Sequence, residues 1–201
     1  MALLSIEFFA GAGGASLGIR DAGFEAVACV DGNADACASL SAAGFPAVHA
    51  GLGGRYNTGT EKRPVVVEAL DVEALPKEVD LFWASPPCQP YSRAGKGLGA
   101  DDERDRWPAI REAIAALRPR HVIIENVGGA PIDDWRTEVE ALGYQASSLE
   151  LNAANFGVPQ TRIRGFLVAS RLDQRRAERP RPTHYAPKTP WLLQAGRKPW
   201  M

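Results

Sequence analysis

The sequence predicts a single α/β domain: a mostly parallel sheet with helices on both faces. Short apolar runs that look like buried strands alternate with stretches of helical periodicity along residues 3–170. Glycine, proline and carboxylate residues follow those runs, at the strand ends where open α/β sheets place their ligands. At 201 residues and 45% hydrophobic content, the chain is long and apolar enough for one real core.

Leu3-Leu4-Ser5-Ile6-Glu7-Phe8-Phe9 reads as the first buried strand. It breaks into Ala10-Gly11-Ala12-Gly13-Gly14, and a helical pattern then runs from Ala15 to Ala22 and closes at Gly23. Strand, glycine turn and helix make a nucleotide-binding opening, because the glycines admit a ligand to the backbone and the helix start offers free N–H groups. The turn falls short of a full GxGxxG, and many such turns bind nothing. A second strand, Glu25 to Val30, ends at Asp31, 18 residues after Gly13. An acid there either holds ribose hydroxyls or caps the helix starting near Ala34. That helix, to Ala43, buries Leu40 and Cys37. Residues 44–64 read as an exposed excursion. Val65-Val66-Val67 leads as a third strand to Asp71, which either meets an exocyclic amine or caps a helix through Glu73-Ala74-Leu75.

Val79-Asp80-Leu81-Phe82-Trp83 is the next buried strand, and Ala84-Ser85-Pro86-Pro87-Cys88-Gln89-Pro90-Tyr91-Ser92 follows it. Paired prolines forbid helix and ladder alike, so Cys88 sits on a stiff loop at a strand's carboxyl end. A lone cysteine is commonly a small buried hydrophobe, but this setting favours a nucleophile. Gly95, Gly97 and Gly99 precede the charged run Asp101 to Arg106, a solvated loop or a lid. A helix from Pro108 to Leu117 leads to the strand His121-Val122-Ile123-Ile124, which ends in Glu125-Asn126-Val127. If the two strands are parallel neighbours, Glu125 shares an edge with Cys88, and burial would raise its pKa towards acid or donor duty. A helix through Val139 to Leu142, a strand from Gln145 to Leu151 and a last strand from Gly165 to Ala169 complete the pattern. Just before that last strand, Arg162 and Arg164 share a face if extended, as a phosphate or base clamp.

Net charge is −1 but unevenly spread: residues 171–201 carry +6 and the first 170 carry −7. A basic, Pro-rich end on an acidic body suits a polyanionic partner, or is simply solvated. Cys29, Cys37 and Cys88 form no CxxC pair and have no His at ligand spacing, so neither a disulfide framework nor a metal site is expected. Glu7 interrupts the apolar N-terminus and no run reaches membrane length, so neither a signal peptide nor a membrane partner is expected.

Four of these stretches resemble the cytosine-5 DNA methyltransferase family, in family order across residues 3–170. Glu7-Phe8-Phe9-Ala10-Gly11-Ala12-Gly13-Gly14 is similar to its cofactor loop and Ser85-Pro86-Pro87-Cys88-Gln89 to its nucleophile loop. Glu125-Asn126-Val127 matches its ENV element and Gln160-Thr161-Arg162-Ile163-Arg164 its QxRxR element. The resemblance implies a Rossmann-like methyltransferase fold, S-adenosylmethionine as cofactor and DNA as substrate, in a prokaryotic or phage-infected cytoplasm. Residues 1–170 would form the catalytic body, and 171–201 a basic segment leading towards target recognition.

By the same resemblance, Phe9 stacks on adenine, Asp31 binds the ribose, Asp71 meets the adenine amine, and Gly11, Gly13, Gly14, Val72 and Pro87 line the cofactor. Asp31 stands where the family usually has the longer Glu. Cys88 attacks C6 of a flipped-out cytosine, Glu125 engages N3, Arg162 and Arg164 steady the base, and Gln89, Ser92, Asn126 and Gln160 touch the substrate. The family's target-recognition region and final Gly-Asn element find no match here. A fragment, a natural short protein and one half of a split enzyme completed by a second polypeptide all stay open. Pro-Pro-Cys-Gln-Pro-Tyr-Ser also resembles the tRNA cytosine-5 branch, and a non-catalytic cofactor-binding subunit is the third alternative.

Overall fold

The computed structural model describes residues 2–54, 56–57, 66–91, 99–186 and 196–199. Seven strands form one sheet: β1 (Leu3–Phe8), β2 (Phe24–Asp31), β3 (Ala47–His49), β4 (Leu81–Ala84), β5 (His121–Val127), β6 (Tyr144–Asn152) and β7 (Ile163–Arg171). Their order is β3-β2-β1-β4-β5-β7-β6. Strands β3 through β5 are parallel, and β7 runs antiparallel to both of its neighbours. The order reverses between β1 and β4, which opens a crevice at their carboxyl ends.

Among the described residues, four helices flank the sheet: α1 (Gly14–Asp21), α2 (Ala34–Ala42), α3 (Trp107–Leu117) and α4 (Ile132–Ala141). In α3, Ile110, Ala113, Ile114 and Leu117 follow helical spacing and are buried, Pro108 sits in the first turn, and Arg118 in the left-handed region ends the helix. This stripe packs with Trp135 and Val139 of α4 onto Ile6, Phe8, Phe82, Val122, Ile124 and Leu167, the main core. On the other face, a smaller cluster of Ala10, Cys29, Leu40 and Phe45 lies at the α2 side. Beside α1, that same face leaves an apolar groove of about 390 Å³ whose walls include Ala15, Gly18, Leu81, Trp83, Ile123 and Val168.

Three sequence expectations need correction. The third strand is Ala47–His49, paired with Cys29–Asp31, whereas Val66–Val67 pairs only with Tyr56–Asn57 outside the main sheet. Three residues beside a glycine-rich stretch are too few to show a strand period. The charged run 101–106 is not simply solvated: Asp102 is buried and accepts from the Arg104 backbone N–H and from its guanidinium. The stretch after β7 lacks helix and strand up to Thr183, but it is held against the sheet. β6 is an edge strand, and Arg176 donates to Ala146 O while Arg179 donates to Glu150 O. These two arginines cover carbonyls that would otherwise stand free at the edge.

Gly95 and Gly97 lie outside the described residues. Among the described residues, no helix is long and apolar enough to cross a membrane, and no group of three or more His, Cys, Asp or Glu side chains gathers as a metal site.

Candidate active site

The loop after β4 leaves the sheet under several restraints. Ser85 N–H donates to Phe8 O at 3.2 Å, the Asn126 side-chain amide donates to Pro86 O at 3.3 Å, and Tyr91 N–H donates to Cys88 O at 3.0 Å. Proline fixes the backbone between the first two. Cys88 is thereby presented, half-buried, in a cleft of about 420 Å³.

Leu81–Ala84 pair in parallel with His121–Ile124, so Glu125 emerges at the same sheet end as the Cys88 loop. Arg164 pairs with Val127 across the antiparallel β5–β7 ladder, and its Nε reaches Glu125 Oε1 at 2.9 Å. Burial raises the Glu125 pKa above the ordinary carboxylate range, while the guanidiniums of Arg164 and Arg162 pull the other way. Arg162 stands exposed just before β7, its N–H bonded to Asn152 Oδ1, and lines the same cleft.

The third wall is the turn after β1. Phe9 holds a left-handed backbone, φ 59°, uncommon for a bulky side chain and stored at the cleft rather than in the core. Gly13 has φ 92°, and a Cβ there would come within 3.0 Å of Leu40, so the close approach of α1 to α2 needs glycine. Asp31 braces this turn: one carboxylate oxygen accepts the Gly11 N–H at 2.8 Å and the other the Asn33 N–H at 2.8 Å. Helix α2 is capped by Asn33, which accepts from the Asp35 and Ala36 N–H groups. Asp31 is thus not the cap, and each oxygen keeps acceptor capacity towards the cleft.

Phe9, Asp31, Pro87, Cys88, Gln89, Glu125, Asn126, Arg162 and Arg164 all line this one cleft. Gly11 touches it through Asp31, whereas Gly13 and Gly14 form the start of α1 behind it. Gln160 stands exposed on the loop before Arg162, outside the lining. Asp71 is exposed, caps the short turn Val72–Ala74 by accepting from Glu73 N–H, and stands with Val72 outside the lining. Ser92 lies outside the described residues. The lining also contains Gly32, Asn33, Ser85, Pro86 and Val127, to which the sequence assigned no role in the site. Asn33 carried a signal, as an asparagine just before a helical run.

The chain matches the C-5 cytosine-specific DNA methylase family over residues 3–191. It is 34% identical to the type II methyltransferase M.NgoMIV of Neisseria gonorrhoeae, over 94% of this chain and 59% of that protein. It is 33% identical to the type II methyltransferase M.AplI of Arthrospira platensis, over 83% of this chain and 45% of the relative. For M.AquIA of Picosynechococcus, also a type II methyltransferase, identity is 34% over 89% of this chain and 76% of the relative. The chain thus spans about half the length of the first two. In fold it is similar to Spodoptera frugiperda DNMT2, with a TM-score of 0.59 and 21% identity over 85% of this chain and 50% of that one. A family match over nearly the whole length, on a chain whose four family-like stretches converge on one cleft, leaves no doubt of kinship: the chain belongs to the C-5 cytosine-specific DNA methylase family.

Proposed function

We propose that this chain carries the catalytic centre of a DNA cytosine-5 methyltransferase, with Cys88 as the nucleophile that adds to C6 of a cytosine turned out of the duplex. The observation that carries this reading is the convergence of Cys88, Glu125, Arg162 and Arg164 with the Phe9–Asp31 turn in one cleft. The family's methyl donor, S-adenosylmethionine, fits the residues present. An aromatic ring on a strained turn, a proline wall and a carboxylate with unused acceptor capacity suit an adenine and a ribose diol. When bound, the donor supplies an electrophilic methyl group.

The chain's own residues do the rest. The Cys88 thiol gives up its proton to solvent, its sulfur forms a bond to C6, the ring's π electrons shift, and C5 becomes nucleophilic. Glu125, held by Arg164 and biased towards its protonated form by burial, donates its proton to N3 as charge builds there. Once C5 has taken the methyl group, its proton leaves to solvent base, the C6–S bond breaks, N3 returns its proton to Glu125, and the thiolate is released. Arg162 and Arg164 hold the base or its phosphate, and Gln89 and Gln160 reach the substrate from the rim. Asn126 acts indirectly, since its amide group is engaged by Pro86 O and the Val127 N–H.

Further polypeptide, in the same chain or a separate one, completes the enzyme. Two observations support this: the relatives' greater length, and the apolar groove beside α1, which the described residues leave open on a sheet type that is normally covered on both faces. We place the activity in a bacterial or phage-infected cytoplasm, as part of restriction-modification.

The test is covalent trapping: duplex DNA with 5-fluorocytosine at the target should yield a protein–DNA adduct, because fluorine blocks release from C5. Cys88→Ser should abolish the adduct, and Cys29→Ser should not. An adduct that persists in Cys88→Ser refutes the assignment. Tritiated methyl transfer should be weak for residues 1–201 alone, since flipping costs a few kcal/mol that flanking contacts normally offset. Robust, sequence-specific turnover by this chain alone would sink the need for further polypeptide, and transfer to tRNA but not DNA would change the substrate.

A further inference from the structure

Pro86 and Pro87 stiffen the approach to Cys88, and Pro90 restrains the backbone just after it without tying that side to the rest of the fold. The side after it is held through Tyr91. The Tyr91 ring stands edge-on to Trp135 of α4, with centroids 5.5 Å apart and planes at 77°. Trp135 in turn stacks flat on Trp107 of α3, at 4.7 Å and 11°, and both indoles are buried. Burial first, and then the nearby Asp105 and Asp102 carboxylates, push the Tyr91 phenol pKa up. Asp105 accepts the Trp107 N–H, at 3.0 Å, where α3 begins. Trp107 Nε1 donates to Glu138 of α4 at 3.0 Å and ties the helix pair together. One side chain close behind the thiol is therefore held by its ring on a platform built from two helices.

We propose that Tyr91 is a positioning residue for Cys88. Its N–H bond to Cys88 O closes the turn, and its side chain fastens that turn to α3 and α4. The orientation of the thiol in the cleft is then set from both sides of the loop, not by the end of β4 alone. Because Trp135 stacks on Trp107 at the start of α3, the ring contact couples the loop to the helix that carries much of the core. The inference rests on the proposed function only in taking Cys88 as the reacting group.

The experiment needs neither DNA nor methyl donor, so its failure is distinguishable from failure of that function. The 201-residue chain is treated with iodoacetamide, and the labelling of Cys88, Cys29 and Cys37 is followed by peptide mass spectrometry. Cys29 and Cys37 are buried and report any general loosening. Tyr91→Leu should speed alkylation of Cys88 by about two- to tenfold, the range set by loss of one aromatic pair from the loop. Cys29 and Cys37 should stay protected. Tyr91→Phe keeps the ring and should leave the Cys88 rate near wild type; a rise as large as that in Tyr91→Leu overturns the proposal. A Cys88 rate in Tyr91→Leu that is unchanged or slower, with the other two cysteines protected, also overturns it. If Tyr91→Leu exposes all three cysteines together, Tyr91→Met, which fills space without a ring, decides: a faster Cys88 alone supports the proposal, and a wild-type rate overturns it.

Discussion

Replacing Glu7 tests the packing beneath the glycine turn through pH. Glu7 lies on β1 at 2% exposure and accepts a hydrogen bond from the Ser16 hydroxyl in the first turn of α1. Its other oxygen, Oε1, has no partner among the described residues. Burial, opposed by the Ser16 bond and reinforced by the Asp31 charge, pushes its pKa from 4.5 up to about 7. The folded state therefore holds the proton more tightly than the unfolded chain. The associated stabilisation is complete below pH 4.5 and is lost as pH rises to about 7. A shift of that size corresponds to about 3 kcal/mol.

Glu7→Gln keeps an acceptor for Ser16 and stays neutral, so it should be more stable than the parent at high pH. The unpaired amide nitrogen costs about 1–3 kcal/mol at every pH, which makes the change in the gap, not its absolute size, diagnostic. Urea unfolding of both proteins should show the gap moving in favour of Gln by about 2–3 kcal/mol between pH 5 and pH 8. A gap that stays constant with pH, or moves the other way, refutes the idea that an ionised Glu7 strains the fold.

Three further outcomes follow from the same geometry. Asp31→Ala should weaken S-adenosylmethionine binding by about 1–3 kcal/mol in calorimetry, and unchanged affinity would leave Asp31 as a brace between Gly11 and Asn33 only. Gly157→Ala should destabilise the protein, since its φ is 90° and a Cβ would lie 2.7 Å from the His184 ring. Adding His184→Ala should recover part of that loss in a double-mutant cycle, and strict additivity would mean that the two do not meet. Arg176→Ala with Arg179→Ala should increase concentration-dependent self-association in sedimentation, because the β6 edge carbonyls are left open. Unchanged sedimentation would mean that the edge is guarded by something else.

The strands that carry the cleft were legible because a parallel sheet buries them on both faces, which writes near-continuous apolar runs such as those at β4 and β5. α4 was legible only at its end, although Ile132, Trp135 and Val139 already stood at helical spacing; the helix starts directly after Pro131. β3 was illegible for the opposite reason. Its pairing is made by backbone groups, Cys29 N–H to Pro46 O among them, and backbone pairing leaves no residue signature. Losing β3 had a consequence for Asp71, which was read at the end of a strand that is not in the sheet and instead caps a short turn.

At the site, the dividing line runs between what register dictates and what tertiary bonds dictate. Cys88 follows the end of β4, Glu125 lies near the end of β5 and Arg164 near the start of β7, so fixing β4 beside β5 and β5 against β7 brings them together whatever their side chains do. Asp31 is intermediate: the end of β2 places it correctly, but only the folded turn shows that its two oxygens already serve Gly11 and Asn33. Glu7 and Tyr91 lie on the far side of that line. Each sits inside a stretch read for its neighbours, and each takes its character from groups distant in sequence: Ser16 and Asp31 for the carboxyl, Trp135 and Asp105 for the phenol. A family-like stretch names the residue that reacts. Which residues hold it still follows from packing, so the support around Cys88 is where this chain can differ from its relatives while keeping the same chemistry.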